Sequence, residues 1–325
     1  MAAREMIMLS KVKLKNTDLT VSNLCYGTNQ LGTAYDQAAS NALLDQFASY
    51  GGNFIDTARS YGDWIPSAPK GASERAIGAW LKGQKRDNFV IATKGAMVDL
   101  RVGDWRNRVT ADDIASDLGE SLEHLGVKTI DLYWLHSDNP QAPVSPIIDA
   151  LIGHQKAGKI RYFGASNWGP ARIQEAQAYA KSKGHQGFVA VQPFWGLAVP
   201  NPEGAAAAGY GAYYEDGFQA VHGDLPMIPY SGQSRGFFSK LAAGKVGDDL
   251  KAMYDNPGNT ARLKVVQDVA KKHNASINDV VLAYLTNQPN QTIPIIGAFR
   301  KEQLEETVKA AALKLSADEV KALRG

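Results

Sequence analysis

Short apolar runs alternate along the chain with longer stretches whose apolar residues recur at helical spacing. Eight runs read as strands: 24–27, 53–56, 89–94, 130–136, 160–166, 189–192, 227–230 and 292–295. Between them, residues 38–50 put Leu43, Leu44 and Phe47 on one face. Residues 110–125 space Ile114, Leu118, Leu122 and Leu125 in the same way, with Thr110 as cap and Asp113 as its partner in a capping box. Ser145 and Pro146 open a further helix, with proline at its first position. Residues 261–272 and 277–286 form a helix pair.

Regular alternation of strand and helix implies a parallel sheet, and eight such units close into a (β/α)8 barrel, the TIM barrel of the α/β class. An open doubly wound sheet is the competing architecture. The expectation is one barrel domain over residues 1–325, with an N-terminal segment, long loops at the C-terminal face of the strands and extra C-terminal helices. Two segments break the rhythm. Residues 65–70 form a proline-bounded loop after the second strand, and residues 200–226 are rich in Gly, Ala and Tyr after the sixth. Both follow strand C-termini, where barrel enzymes carry their active sites.

Composition narrows the classes. The 325 residues are 44% hydrophobic and 21% charged, and a net charge of +2 without a basic block gives no reason to expect a nucleic-acid partner. The single cysteine, Cys25, excludes an intramolecular disulfide and reads as a core thiol. No apolar stretch has the length of a membrane span, and the first ten residues, with Arg4 and Glu5, do not read as a secretory signal. A cytoplasmic location is expected.

The chemistry stands at the strand ends. Asp56 ends the second strand, Lys94 the third and His136 the fourth; Ser166 and Asn167 end the fifth, Gln192 the sixth, and Tyr230 and Ser231 the seventh. Tyr61 lies just past the second. In a barrel these converge on one rim. An ammonium beside a phenol stabilises the phenolate and lowers its pKa, by about 1.4 kcal/mol of differential interaction per unit. An aspartate holds that lysine charged, and a histidine can hydrogen-bond a carbonyl oxygen. The four make a proton donor beside a polarised carbonyl. None supplies a hydride, so a cofactor must.

The ordered stretches Phe54–Ala58 with Ser60–Gly62, Ala72–Glu74 with Ile77–Gly78, Ala92–Lys94, Leu132–His136, Gly164–Asn167, Gln192, Tyr230–Ser231 and 295–306 resemble the aldo-keto reductase family over nearly the whole chain. The resemblance implies catalytic roles for Asp56, Tyr61, Lys94 and His136, with Tyr61 as general acid in carbonyl reduction and general base in alcohol oxidation. It implies NADPH/NADP+ as cofactor. Ser166, Asn167 and Gln192 would grip the nicotinamide carboxamide, with Thr28 and Asp56 on the nicotinamide side and Tyr230 stacking on the ring. Ser231, Gly232, Gln233 and Gly236 would cradle the pyrophosphate. Gly297, Arg300, Gln303 and Glu306 match the adenosine end, with Arg300 as the natural partner of a 2′-phosphate. Gly297 and Ala298 replace a lysine and a serine of strongly NADP-specific members, and Thr307 replaces a common asparagine, which leaves NADH open as an alternative.

The implied partner is a small-molecule carbonyl or alcohol substrate. Trp64, Trp105, Trp168 and Trp195 lie near strand ends or in rim loops as candidate walls of its site. Asn29 replaces a tryptophan found after the first strand in some members, which suggests a polar entrance and sugar-like or hydroxylated substrates. An alternative is a cofactor-binding regulatory or sensor subunit of the same fold with low turnover; a hydrolase using Asp56 with a second carboxylate would act without nicotinamide. Three features carry no function. Tyr179 and Lys183 have short-chain-dehydrogenase spacing but lack the glycine-rich turn. His124, His154, His185, His222 and His273 have no metal-ligand spacing. Residues 205–208 read as loop or short helix.

Overall fold

The computed structural model of the chain describes residues 8–103, 105–211, 213, 214 and 223–325. An antiparallel hairpin, β1 (Lys11–Lys13) and β2 (Thr20–Ser22), precedes the barrel. The barrel strands are β3 (Cys25–Gly27), β4 (Phe54–Asp56), β5 (Val90–Gly95), β6 (Ile130–Leu135), β7 (Ile160–Ser166), β8 (Val191–Gln192) and β9 (Ile295–Ile296). They pair in parallel in the order β8-β7-β6-β5-β4-β3-β9. Residues 227–230 close the ring, through parallel bridges from Met227 to Val191 on one side and to Thr292 on the other. The run expected as the seventh strand is thus present as bridges, with Ile228 N–H donating to Val191 O at 2.9 Å and Ile293 N–H to Met227 O at 2.8 Å.

Side-chain alternation sorts the strand residues into two layers. Phe54, Val90, Ala92, Leu132 and Trp134 join one buried cluster inside the ring, while Ile55, Ile91, Tyr133 and Leu135 join the larger cluster under the helices. Leu14, Leu19 and Val21 of the hairpin belong to the inner cluster. The hairpin is anchored where the strands begin: Asn53 Oδ1 accepts from Ser22 N at 2.7 Å, and Gln291 Oε1 from Lys15 N at 2.9 Å. It therefore plugs the end of the barrel opposite the C-terminal ends of the strands.

The early helices are α1 (Gln37–Ser49), α2 (Ala72–Leu81), α3 (Ala111–Leu125), α4 (Val144–Lys156) and α5 (Pro170–Ser182). Thr110 caps α3 as expected, accepting from Asp113 N at 3.2 Å while its hydroxyl donates to Asp113 Oδ2 at 2.7 Å. The start of α4 differs. Pro143 is its N-cap, so Pro146 is the third helical residue rather than the first. Proline is tolerated there because first-turn N–H groups have no intrahelical acceptor. The helix expected at 261–272 spans Pro257–His273, because Asn256 caps it and Pro257 opens it. Its partner Ile277–Thr286 carries a Ser276/Asp279 capping box. Helices Lys301–Ala310 and Ala317–Arg324 end the chain. In the long segment after β8, Pro202–Ala207 is helical; residues 212 and 215–222, His222 among them, lie outside the described residues.

Candidate active site

Lys94 is the next inward residue of β5 after Val90 and Ala92, and Asp56 follows Phe54 in the same sense on β4. Both are 1% exposed. The Lys94 ammonium donates to Asp56 Oδ1, to Thr57 O at 2.7 Å and to the Tyr61 hydroxyl at 2.9 Å, which uses all three of its protons. Asp56 Oδ2 accepts from Trp134 Nε1 at 3.1 Å and Gln192 Nε2 at 2.9 Å. A buried ion pair is tolerable only when its remaining hydrogen-bonding capacity is met, and here it is. Burial pulls the Lys94 ammonium down, but Asp56 and Tyr61 outweigh it and hold Lys94 above its ordinary value.

Trp134 reaches Asp56 because the strand beside it gives way. A Cβ on Gly164 would lie 2.4 Å from the Trp134 ring and 2.6 Å from Ala190 O. Only glycine leaves room for an indole at that level of the barrel.

Tyr61 sits in a run of turns between β4 and α2. Its hydroxyl accepts from Lys94, whose nitrogen is also 4.6 Å from the ring centroid. The expected lowering of its pKa is not what results. Burial raises the phenol above its ordinary value, against the pull of Lys94, and Asp56 adds to the rise. Tyr61 is thus a neutral phenol at neutral pH, with an ammonium in place for the charge it would leave behind. The His136 ring lies edge-on to it at 6.1 Å between centroids. Its Nδ1 is buried without a hydrogen-bond partner among the described residues, and burial, then Lys94 and Arg59, push its pKa well below the ordinary imidazole value. His136 is a neutral imidazole.

The residues expected at the nicotinamide end are together but engaged with one another. Ser166 Oγ donates to Gln192 O at 2.9 Å. Asn167, in the left-handed region at φ 60°, donates through Nδ2 to His136 O at 2.9 Å and accepts from the Tyr230 hydroxyl at 2.7 Å. Tyr230 stacks on Phe194 at 5.6 Å. The Gln192 amide is turned to Asp56. Thr28 is fully buried behind Asp56, donating to its carbonyl at 2.9 Å and sharing a hydrogen bond with Ser73.

At the segment expected to cradle the pyrophosphate, Ser231, Ser234, Arg235 and Gly236 all have positive φ, with Gly232 and Gln233 between them. Left-handed residues can turn N–H groups toward one side, an anion-binding geometry; here Ser234 N–H and Gly236 N–H donate within the turn, to Ser231 O and Gln233 O, both at 2.8 Å. Arg300 is the exposed N-cap of Lys301–Ala310, with Gln303 and Glu306 three and six residues on. Exposed Gly297 precedes Ala298, whose carbonyl accepts from Tyr26 at 2.8 Å.

The candidate substrate walls separate. Trp64 is 50% exposed and edge-on to Tyr61 at 6.1 Å. Trp105 and Asn29 are exposed. Trp168 is buried, donates to Ser137 O at 2.9 Å, and borders a cleft with Asn167, Gln192 and Pro193. Trp195 is core: it packs on Tyr214 and Tyr284 with 4% exposure, among the apolar residues of the cluster under the helices.

Two features escape motif reading. Trp134 is bonded to the Asp56 carboxylate, and its signal is the parity it shares with Leu132. Arg59, fully enclosed among carboxylates, lies two residues before Tyr61 and had no signal. Tyr179 donates to Asp149 between α5 and α4, outside the site, and His124 is satisfied by Glu74 at 3.0 Å.

The profile of the Aldo/keto reductase family matches residues 23–325. The uncharacterized oxidoreductase YrpG of Bacillus subtilis is 30% identical over 319 residues, covering 93% of this chain and 91% of its own length. Aldo-keto reductase yakc [NADP(+)] of Schizosaccharomyces pombe is 29% identical, covering 92% and 86%. A thermostable aldo-keto reductase solved with the inhibitor epalrestat superposes with a TM-score of 0.69 at 25% identity, over 97% of this chain and 99% of that one. These relatives are named as oxidoreductases, and nothing among them supports the regulatory-subunit alternative.

Proposed function

The chain belongs to the aldo/keto reductase family, and from that premise we propose that it reduces aldehyde or ketone groups of small molecules reversibly, using NADPH in preference to NADH. The observation that carries this reading is the Tyr61 hydroxyl, held 2.9 Å from an ammonium whose other donors are committed to Asp56 and Thr57. Bound nicotinamide supplies the hydride that goes to the carbonyl carbon.

The chain supplies the proton and the charge control. As the carbonyl oxygen gains electron density, Tyr61 Oη gives up its proton to it. The phenolate left behind faces Lys94, and Asp56, fixed by Trp134 and Gln192, keeps Lys94 from shifting. Neutral His136 can hydrogen-bond the same substrate oxygen without repelling Lys94. Oxidation of an alcohol runs the steps backwards.

The donor set suits a dinucleotide. The 231–236 turn, with Ser231, Ser234, Arg235 and Gly236 left-handed, is the segment suited to a pyrophosphate. Arg300 offers a planar fork for a 2′-phosphate, consistent with the NADP(+) in the name of the yeast relative. Exposed Asn29, with Trp64 beside Tyr61, favours hydroxylated or sugar-like carbonyl compounds, whose hydroxyls hydrogen-bond an amide while their C–H faces pack on an indole.

The test is a panel of sugar, aliphatic and aromatic carbonyl compounds, followed by nicotinamide absorbance with each cofactor. Turnover with NADPH and preference for hydroxylated compounds is expected. Strong preference for plain aliphatic or aromatic aldehydes removes the substrate assignment, and no turnover on any carbonyl removes the function.

A further inference from the structure

Between Asp56 and Tyr61 the chain buries an arginine that the chemistry above does not use. Arg59 is 1% exposed. Its backbone N–H donates to Lys94 O at 3.0 Å, so the main chain at 59 is already tied to the strand that carries the ammonium. Its guanidinium faces four carboxylates from three places. Asp117 and Glu120 of α3 lie at 3.3 and 3.5 Å, Asp63 of its own turn at 3.6 Å, and Asp99 of the β5–α3 loop at 3.7 Å. Three more cations complete the cluster: Lys70 on Glu120 at 2.7 Å, Arg101 on Asp63 at 2.8 Å and Arg108 on Asp117 at 2.6 Å.

We propose that Arg59 is the positioning residue for the proton donor, its buried guanidinium clamping the turn that carries Tyr61 to α3 so that the phenol stays seated on Lys94. The proposal rests on the reductase reading, in which Tyr61 is the acid.

Three observations argue for it. The ladder to β5 ends at Arg59, after Thr57 N–H to Ala92 O and Arg59 N–H to Lys94 O, and Tyr61 lies beyond it in a run of turns. Burying a guanidinium costs several kcal/mol unless it is compensated, so its burial here needs those carboxylates around it. And neither terminal nitrogen of Arg59 has a hydrogen bond among the described residues. No single fork holds the group; it sits in the summed field of acids on α3, the β5–α3 loop and its own turn, and α3 and the loop are thereby tied to the turn that carries Tyr61. Arg59 is also close enough to His136 to help keep the imidazole neutral. Chemistry at Tyr61 is sensitive to such placement, since a misplacement of about 1 Å can cost about 100-fold in rate.

The experiment compares wild type, Arg59→Lys, Arg59→Met and Glu120→Gln as full-length chains. Glu120 is the most exposed of the four carboxylates, so its variant perturbs the clamp least. Thermal melting, cofactor affinity by fluorescence, kcat and KM, and the solvent deuterium isotope effect are measured. A Tyr61 ring signal, assigned by ¹³C-tyrosine NMR against Tyr61→Phe, gives a readout without turnover. Arg59→Lys is expected to fold and to bind cofactor within about twofold of wild type, with kcat down about 10-fold or more, KM little changed, a larger solvent isotope effect and a displaced or broadened Tyr61 signal. Glu120→Gln moves the same readouts less. Unchanged kcat or an unchanged Tyr61 signal in folded Arg59→Lys overturns the proposal, as does a loss of kcat that merely tracks cofactor binding and melting. If Arg59→Met does not fold, the other two variants decide. A wild type inert on every carbonyl sinks the reductase reading instead, while the NMR comparison still judges the clamp.

Discussion

The Lys94 ammonium lies 2.9 Å from the Tyr61 hydroxyl oxygen and 4.6 Å from the centroid of the same ring. One cation therefore touches both the hydroxyl and the ring over which a phenolate charge would spread. In the resting chain this attraction does not overcome burial, and the phenol stays protonated. Its effect is felt only as the proton leaves. Tyr61→Phe removes the proton and keeps the ring. Reduction is expected to fall by about 10²–10⁴-fold, with cofactor affinity nearly unchanged. Steady-state kinetics beside a cofactor titration check this, and retained turnover would refute the acid assignment.

The pH profile follows from the same directions. His136 has its pKa well below the ordinary value, so it stays neutral as pH falls through the usual imidazole range. Tyr61 has its pKa raised, so it keeps its proton until pH exceeds the ordinary phenol value. For reduction, kcat/KM should show no acidic limb at about pH 6.5 and should fall on the alkaline side only above about pH 10. A limb at the ordinary histidine value would mean that the imidazole is charged in the working enzyme.

Gly164→Ala tests the support of Asp56 from a distance. The added methyl would meet the Trp134 ring and Ala190 O, and Trp134 must shift away from its bond to Asp56 Oδ2. Overpacking of this kind costs about 1–3 kcal/mol. Chemical denaturation should show that loss, and the surviving folded protein should have a reduced kcat. Full activity in the variant would show that the indole does not steady the carboxylate.

Arg300→Ala separates the two cofactors. A charge-assisted contact to phosphate is worth about 1.5–3 kcal/mol, so the NADPH Kd should rise about 10–100-fold while NADH changes little. Equal loss for both would mean that Arg300 does not read a 2′-phosphate.

Much of this was legible in the residues. Strand parity places Asp56 and Lys94 inside the barrel, and their order along the chain brings Tyr61 and His136 to the same rim. What parity does not carry is direction and competition. Gln192 could face a ligand or Asp56, and its amide chooses the carboxylate. The sign of the Tyr61 shift depends on burial against charge, which no motif encodes. Trp195 follows a strand end in sequence yet packs on Tyr284, more than eighty residues later in the chain. Arg59 is one letter in a turn until α3 brings Asp117 and Glu120 to it.

Asn167 and Tyr230 spend polar atoms on each other, and Asn167 also holds the His136 carbonyl. A ring arriving at this place must break bonds to make them, and exchanged hydrogen bonds leave only a small net gain. On the proposed reading, grip on the dinucleotide would then fall mainly to its far end, where Arg300 stands exposed at the start of Lys301–Ala310. The anchor and the blade of the tool are separated: the reactive ring can be handed over spent and received fresh, while the handle decides how long it stays.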